Sequence, residues 1–351
     1  MRFPKFLEKG GSIGFMAPSF GCATEPYLSV FHNARKKLEE LGYRTVPGPN
    51  CYESAGVGIS NTPEKCGSEV MEMFGREDVD CLISCGGGEL MCEILPYVDF
   101  EKLADMKPKW FMGYSDNTNL TYLLATLADT ASVYGPCAGA FGMEPWHEAL
   151  KDAFGVLTGE RKSVHGYELW ERESLKDEAH PLVPYNVTEP VQLRSFVGRE
   201  EISFSETGTR ELLRFSGRLL GGCLDCLVNL SGTRFDKTME FAEKYKDDGI
   251  IWFLEACDLN VFAIRRAMWQ LEETGWFRHV KGFLIGRPLN GGEMMGLDAY
   301  DAVLEVAGRK GVPVIMDVDL GHLPPMMPLI VGSLAEVTLS GNSIQVEMKT
   351  V

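Results

Sequence analysis

An α/β fold in two domains is what this sequence predicts, and three observations predict it. Short apolar runs repeatedly end in Gly, Ser, Asp or Glu and give way to helix-periodic stretches, the alternation expected of a parallel sheet with crossover helices. At 351 residues the chain exceeds the length at which one hydrophobic core stops growing. Its 45% hydrophobic content is enough to fill two cores.

The elements follow in order. Ser12 to Pro18 reads as the first strand, Tyr27 to Leu41 as an amphipathic helix closed by Gly42, and Tyr43 to Val46 as the second strand. Pro63 to Phe74 is helical, while Val79 to Ser84, Lys109 to Gly113 and Ala131 to Tyr134 are strands. Together these predict a Rossmann-like (flavodoxin-like) amino-terminal domain over 1–165. Between 166 and 210 the composition turns polar and irregular, which reads as a connecting segment able to serve as a lid. A smaller mixed α/β carboxyl-terminal domain is expected over 211–351. In it, Leu219 to Leu230 reads as a helix entered through Gly221 and Gly222, and Val261 to Glu273 as another helix. Gly249 to Glu255, Gly282 to Gly286, Val314 to Asp317 and Ala335 to Leu339 read as strands. The last pairs with Ser343 to Met348 across Ser340-Gly341-Asn342, a hairpin signal.

Composition excludes several function classes. A formal charge of −16 repels phosphate backbones, and no Lys/Arg cluster interleaved with aromatics offsets it, so nucleic acid is not an expected partner. No stretch of eighteen uninterrupted apolar residues predicts a membrane span, and the first residues lack a signal-peptide pattern. Ten cysteines without a small-domain framework fit a reducing compartment, which makes the cytoplasm the expected location. Cys223 and Cys226 form a lone C-x-x-C with no second pair at zinc-finger spacing.

Three strand ends carry a chemical set. Ser115 follows WFMGY at a strand-to-helix corner, where a turn lifts a hydroxyl out of the sheet and the amides opening the helix can bind an oxyanion. The same Ser-Asp pair also suits a plain helix cap, and Asn117 stands where the Gly-x-Ser-x-Gly elbow has its second glycine. Glu255 ends GIIWFLE, where a carboxylate needs solvent or a partner. His322, alone among six histidines, closes a strand inside a turn fixed by Gly and Pro. Serine hydrolysis needs a base near neutrality and a carboxylate to hold its tautomer, and Ser115, His322 and Glu255 supply those roles. Gly86, Gly87 and Gly88, directly after a strand, offer unobstructed amides for an oxyanion, with the amide of Asp116 as a second donor. Two other constellations compete: Cys85 as a thiol nucleophile, and Asp317, Asp319 and His322 with Glu255 as metal ligands.

These residues together resemble the serine LD-carboxypeptidases, which include murein tetrapeptide carboxypeptidases and microcin C self-immunity proteins. The resemblance rests on Gly11 to Ser19 (GSIGFMAPS), the Gly86–Gly88 run with Ile94 to Phe100 (ILPYVDF), and Gly113 to Thr118 (GYSDNT). It rests further on Gly217 to Gly222 (GRLLGG), the strand ending in Glu255, and Gly321-His322 followed by Pro328 to Gly332 (PLIVG). It implies a Ser-His-Glu triad on Ser115, His322 and Glu255, oxyanion amides from Gly87 and Asp116, amide hydrolysis through an acyl-enzyme, a homodimer, and no metal or organic cofactor. The expected partner is a small peptide or aminoacyl-nucleotide substrate. Gly88-Glu89-Leu90-Met91 and Cys223 depart from the murein-type pattern, and the aromatic connection with Tyr167, Trp170 and Tyr185 resembles the immunity-type loop, where a tryptophan stacks on a base. On this reading Gly86, Gly88, Trp170 and Arg287 contact substrate, although Trp170 also suits a loop anchor and Arg287 a structural ion pair. A murein L,D-peptide remains the alternative substrate. A non-catalytic ligand-binding protein on the same architecture is the alternative of another class.

Overall fold

The computed structural model describes residues 1–202 and 212–350, so most of the polar tract SFSETGTREL lies outside the described residues. Two compact units form. One comprises Met1–Arg161, Glu173–Asn186 and Pro328–Ile330, and the other Lys162–Arg172, Val187–Met327 and Val331–Val351. The expected connecting segment is thus divided between them.

In the first unit, β1 (Ser12–Met16), β2 (Arg44–Pro47), β3 (Cys81–Ser84), β4 (Trp110–Gly113) and β5 (Ser132–Tyr134) are joined by α1 (Tyr27–Glu40), α2 (Pro63–Gly75), α3 (Phe100–Asp105) and α4 (Thr118–Thr126). The unit closes with α5 (Glu148–Thr158). The strands lie in the order β2-β1-β3-β4-β5, all parallel, which is the flavodoxin-like arrangement expected from the sequence. β1, β3 and β4 are buried along their whole lengths, as strands covered by helices on both faces must be. α1 turns Val30, Phe31, Ala34 and Leu38 inward at helical spacing, and α2 is entered through the Thr62 side chain with Pro63 at its first position.

The second unit is built on a mixed sheet. Its strands are β6 (Ser163–His165), β9 (Arg194–Val197), β10 (Glu200–Glu201), β11 (Leu213–Cys223), β12 (Ile250–Glu255), β13 (Val280–Gly286), β14 (Pro313–Val318), β16 (Leu334–Ser340) and β17 (Ser343–Lys349). β7 (Leu169–Glu171) and β8 (Val187–Pro190) form a separate ribbon, and β15 (Leu329–Val331) runs beside β5 in the first sheet. The order is β10-β9-β14-β13-β12-β11-β16-β17-β6, with β11 to β14 parallel and the flanking strands antiparallel. The β16–β17 hairpin turns at Ser340–Ser343 as expected. α6 (Leu224–Leu230), α7 (Thr238–Lys244), α8 (Val261–Glu273) and α9 (Ala299–Ala307) complete the unit around a core that includes Trp252, Trp276 and Phe277.

One expected element is corrected. Residues 219–223 are strand, not the start of a helix, and α6 begins only at Leu224. Gly221 and Gly222 adopt φ of +153° and +145°, and a side chain on Gly221 would collide with the Phe253 carbonyl of β12. The two glycines therefore serve close packing of neighbouring strands rather than a helix entrance.

Candidate active site

Ser115 lies two residues beyond the end of β4, in the left-handed region at φ +63°. For a serine this conformation costs free energy on the order of 1–3 kcal/mol and persists only where the surroundings enforce it. Those surroundings are specific. The Ser115 amide donates to the Tyr134 hydroxyl at 3.3 Å, and the Asn117 side-chain amide donates to the carbonyls of Tyr114 (3.1 Å) and Gly86 (2.8 Å). Asn117, visible in the sequence only as a departure from the elbow motif, thus ties the serine turn to the glycine run. The turn continues as a single 3-10 turn over Ser115–Asn117 and then as α4.

The glycine run stands against this serine because β3 and β4 are neighbours. A Cβ on Gly87 would lie 3.1 Å from the Ser115 Cβ and Oγ, and one on Gly88 would collide with the Ser19 hydroxyl. The Gly86 carbonyl also accepts from the Ser84 hydroxyl at 3.0 Å, and the Gly87 carbonyl accepts from the Phe20 amide at 2.8 Å. Asp116 is buried, its carboxylate accepting from Ser19 Oγ (2.6 Å), the Met91 amide (2.9 Å) and Asn119 Nδ2 (3.1 Å). Burial pushes this carboxyl up to about 6 against the opposing pull of those hydrogen bonds. Its side chain, which the sequence reading did not use, fastens three segments around the turn. Cys85 is buried, and burial first, then the neighbouring Cys22 and Cys51 thiols, raise it well above the usual thiol range, which leaves it a neutral core residue.

In the second unit Glu255, the last residue of β12, is 3% exposed, and its Oε2 lies 2.8 Å from His322 Nδ1. Burial works against a charged imidazole, but the Glu255 carboxylate, with the Cys257 thiol beside the ring, outweighs it and holds His322 well above its ordinary value near 6.5. Gly321, at φ +94°, lets the chain pass over this pair: a Cβ there would collide with Glu255 Oε2 and lie 2.8 Å from its Cβ and Cδ. The loop after Glu255 is anchored by Asp225 at the start of α6, whose carboxylate accepts from the amides of Cys257 (3.1 Å), Asp258 (2.8 Å) and Leu259 (3.2 Å). Sequence reasoning missed Asp225, and its one signal is an acid in the first turn of a helix.

The metal-ligand alternative is not assembled. Asp317 accepts from the Tyr300 hydroxyl at 2.6 Å, Asp319 pairs with Arg287, and among the described residues no group of three acid, His or Cys side chains is placed to hold a metal ion. Arg287 is itself buried, donating to Asp319 Oδ1 (2.5 Å) and the Asp317 carbonyl (2.7 Å). Its guanidinium carbon lies 5.1 Å from the centroid of the Trp170 ring, and that of Arg172 lies 5.5 Å from the same centroid. Trp170 and Arg287 are therefore brought together, in contact with each other.

Comparison with known proteins places this geometry in context. Residues 13–135 match the LD-carboxypeptidase N-terminal domain and residues 216–337 the LD-carboxypeptidase C-terminal domain. The microcin C7 self-immunity protein MccF of Escherichia coli is 24% identical over 97% of this chain and 94% of its own length. A crystal structure of an MccF-like protein from Bacillus anthracis superposes with a TM-score of 0.81 at 23% identity, covering 99% of this chain and all of the other. The structure of MccF in complex with glutamyl sulfamoyl guanosine gives 0.78 at 21% identity, covering 99% and 98%. At these identities the structural likenesses establish the mixed two-domain α/β fold. Among the described residues no helix is long and apolar enough to cross a membrane.

Proposed function

This chain belongs to the LD-carboxypeptidase family, and from that premise we propose that it is a serine amidase whose Ser115, His322 and Glu255 form one catalytic triad. The observation that carries the reading is the contact at 2.8 Å between buried Glu255 and half-buried His322, since a carboxylate on Nδ1 leaves Nε2 as the nitrogen able to take a proton. Ser115 Oγ attacks the amide carbonyl while His322 removes its proton. The resulting oxyanion is held by the amides of Gly87 and Asp116, with Gly86 and Gly88 keeping the approach open. Collapse to the acyl-enzyme expels the amine, which leaves with the proton from His322, and water then repeats the sequence to release the acid.

MccF carries a glutamyl sulfamoyl nucleoside in one of its structures, and an aminoacyl-nucleotide amide is accordingly the substrate type proposed here. Trp170 and Arg287 are assigned to bracing the β7–β8 ribbon against the end of β13, through the contact of Arg287 with the Trp170 ring and its ion pair with Asp319. The family resemblance further implies a homodimer without metal or organic cofactor, and the cysteine usage fits the reducing cytoplasm.

A fluorophosphonate probe tests the nucleophile. It should label the wild-type protein once, at Ser115, and leave Ser115→Ala unlabelled, and turnover of an aminoacyl sulfamoyl adenosine should exceed that of a murein L,D-tetrapeptide. Labelling that persists in Ser115→Ala removes the triad, whereas the reverse substrate order keeps the triad and moves the substrate to cell-wall peptide.

A further inference from the structure

A cavity of about 440 Å³ opens within the first unit beside Ser115. Its walls come from the Phe20–Thr24 loop after β1, the Glu53–Ser60 loop, Cys85–Gly87 after β3, and Tyr114. This is the point where the strand order reverses, between β1 and β3, and open α/β sheets bind ligands beyond the carboxyl ends of the strands there. The walls are held by the buried interior. The Phe20 amide donates to the Gly87 carbonyl (2.8 Å), the Ser60 amide to the Ser19 carbonyl (2.7 Å), the Ser60 hydroxyl to the Ala17 carbonyl (2.5 Å), and the Cys22 amide to the Cys51 carbonyl (2.7 Å). Beneath them Glu69, 1% exposed, accepts from the Ala17 and Asn50 amides at 2.9 Å each. A cavity fixed in this way is ready before a ligand arrives.

The lining has a distinct chemistry. It holds the rings of Phe20, Tyr27 and Tyr114, the hydroxyls of Thr24 and Ser54, and one acid, Glu53, with no Lys, Arg or His among the described residues. A carboxylate or phosphate placed there would meet no cationic partner. An ammonium would meet a carboxylate, hydroxyl oxygens and aromatic faces.

We propose that this cavity receives the acyl half of the substrate and holds a primary ammonium on that half against Glu53, so that the anionic part of the substrate lies on the leaving-group side of Ser115. The proposal rests on the hydrolase reading for the words acyl and leaving group, but the ammonium preference can be measured without turnover. The probes are n-pentylamine, n-pentanol and pentanoate, which share one tail and differ in charge, with binding to the wild-type protein and Glu53→Gln followed by ligand-observed NMR. Pentylamine should bind about fivefold more tightly than pentanol, the scale of one solvent-accessible ion pair. Pentanoate should bind most weakly, and the amine's advantage should vanish in Glu53→Gln and shrink as salt is raised. The bound amine should also slow fluorophosphonate labelling of Ser115. Pentanoate binding as well as pentylamine, or an amine preference unchanged in Glu53→Gln, overturns the ammonium site whatever the labelling shows. Amine preference with no labelling at Ser115 overturns the acyl-half assignment and the hydrolase reading, and leaves a cation-binding pocket.

Discussion

Replacing Glu255 by Gln keeps the shape of the side chain and an oxygen able to accept from His322 Nδ1, while removing the charge. Two unit charges about 4 Å apart at an effective dielectric near 20 attract by about 4 kcal/mol, which is roughly 3 pH units on the partner's titration. Burial of the ring opposes this, and the Glu255 carboxylate outweighs it, so His322 sits above its ordinary value near 6.5. In Glu255→Gln burial, the neighbouring Cys257 thiol and the weaker hydrogen bond remain, and the carboxylate's charge is gone. The titration midpoint of His322 should therefore fall by more than about one pH unit. Ring-proton NMR on histidine-labelled protein reads this directly, with His322→Gln assigning the signal. The rate of phosphonylation of Ser115 by the fluorophosphonate, with loss of fluoride, should rise with pH through the same midpoint in the wild type, because only the neutral imidazole accepts the serine proton. The sign carries over to stability. A histidine raised in the folded state contributes stability that is fully present below about 6.5 and is lost as pH climbs through the folded value. A wild-type His322 titrating at or below the ordinary value, or a midpoint unmoved in Glu255→Gln, refutes the reasoning.

Gly321→Ala should be destabilising by about 2–5 kcal/mol, combining left-handed strain with a methyl forced onto the Glu255 carboxylate, while Gly341→Ala, also at positive φ but with open space around it, should lose only the strain of about 1–2 kcal/mol. Urea unfolding of the two variants measures the difference, and equal losses would mean that the Gly321 contact is unimportant. Burial pushes the Glu69 carboxyl up to about 7 from near 4.5, so the folded state holds this proton where the unfolded chain has released it. Its contribution should be complete below about 4.5 and fall by roughly 3 kcal/mol as pH rises through 7. Unfolding curves across that window should be steeper in pH for the wild type than for Glu69→Gln, and parallel curves would contradict the shift.

Much of this protein was legible in its sequence, for a physical reason. Strands covered on both faces must be apolar throughout, so β1, β3, β4 and β12 stand out as runs, and the residues that end them are the polar ones a ligand meets. Gly221 and Gly222 misled because the same dipeptide that enters a helix also permits tight strand packing, and only the Phe253 carbonyl across the sheet distinguishes the two. Asp116, Asn117 and Asp225 escaped notice as side chains because each has a defining partner far along the chain. Asp116 meets Ser19 from 97 residues away, and Asp225 meets the 257–259 amides from more than thirty. Such contacts leave no local spacing to read.

The strand order poses a geometric problem that the glycines of the second unit solve. β12, which carries Glu255, is separated from β14, which leads to His322, by the whole of β13. For the imidazole to reach the carboxylate, the chain leaving β14 must cross the carboxyl end of β13. That end is Gly286, where a Cβ would collide with the Leu320 carbonyl and lie 3.0 Å from the Glu255 Cβ. The crossing segment runs through the space a side chain would fill, and Gly321 provides the left-handed turn that lowers His322 onto Glu255. A larger residue at either position would raise the loop and break the 2.8 Å contact, even though neither glycine bears a group that reacts. The chemistry proposed for His322 therefore depends on two residues without side chains as directly as on its carboxylate partner.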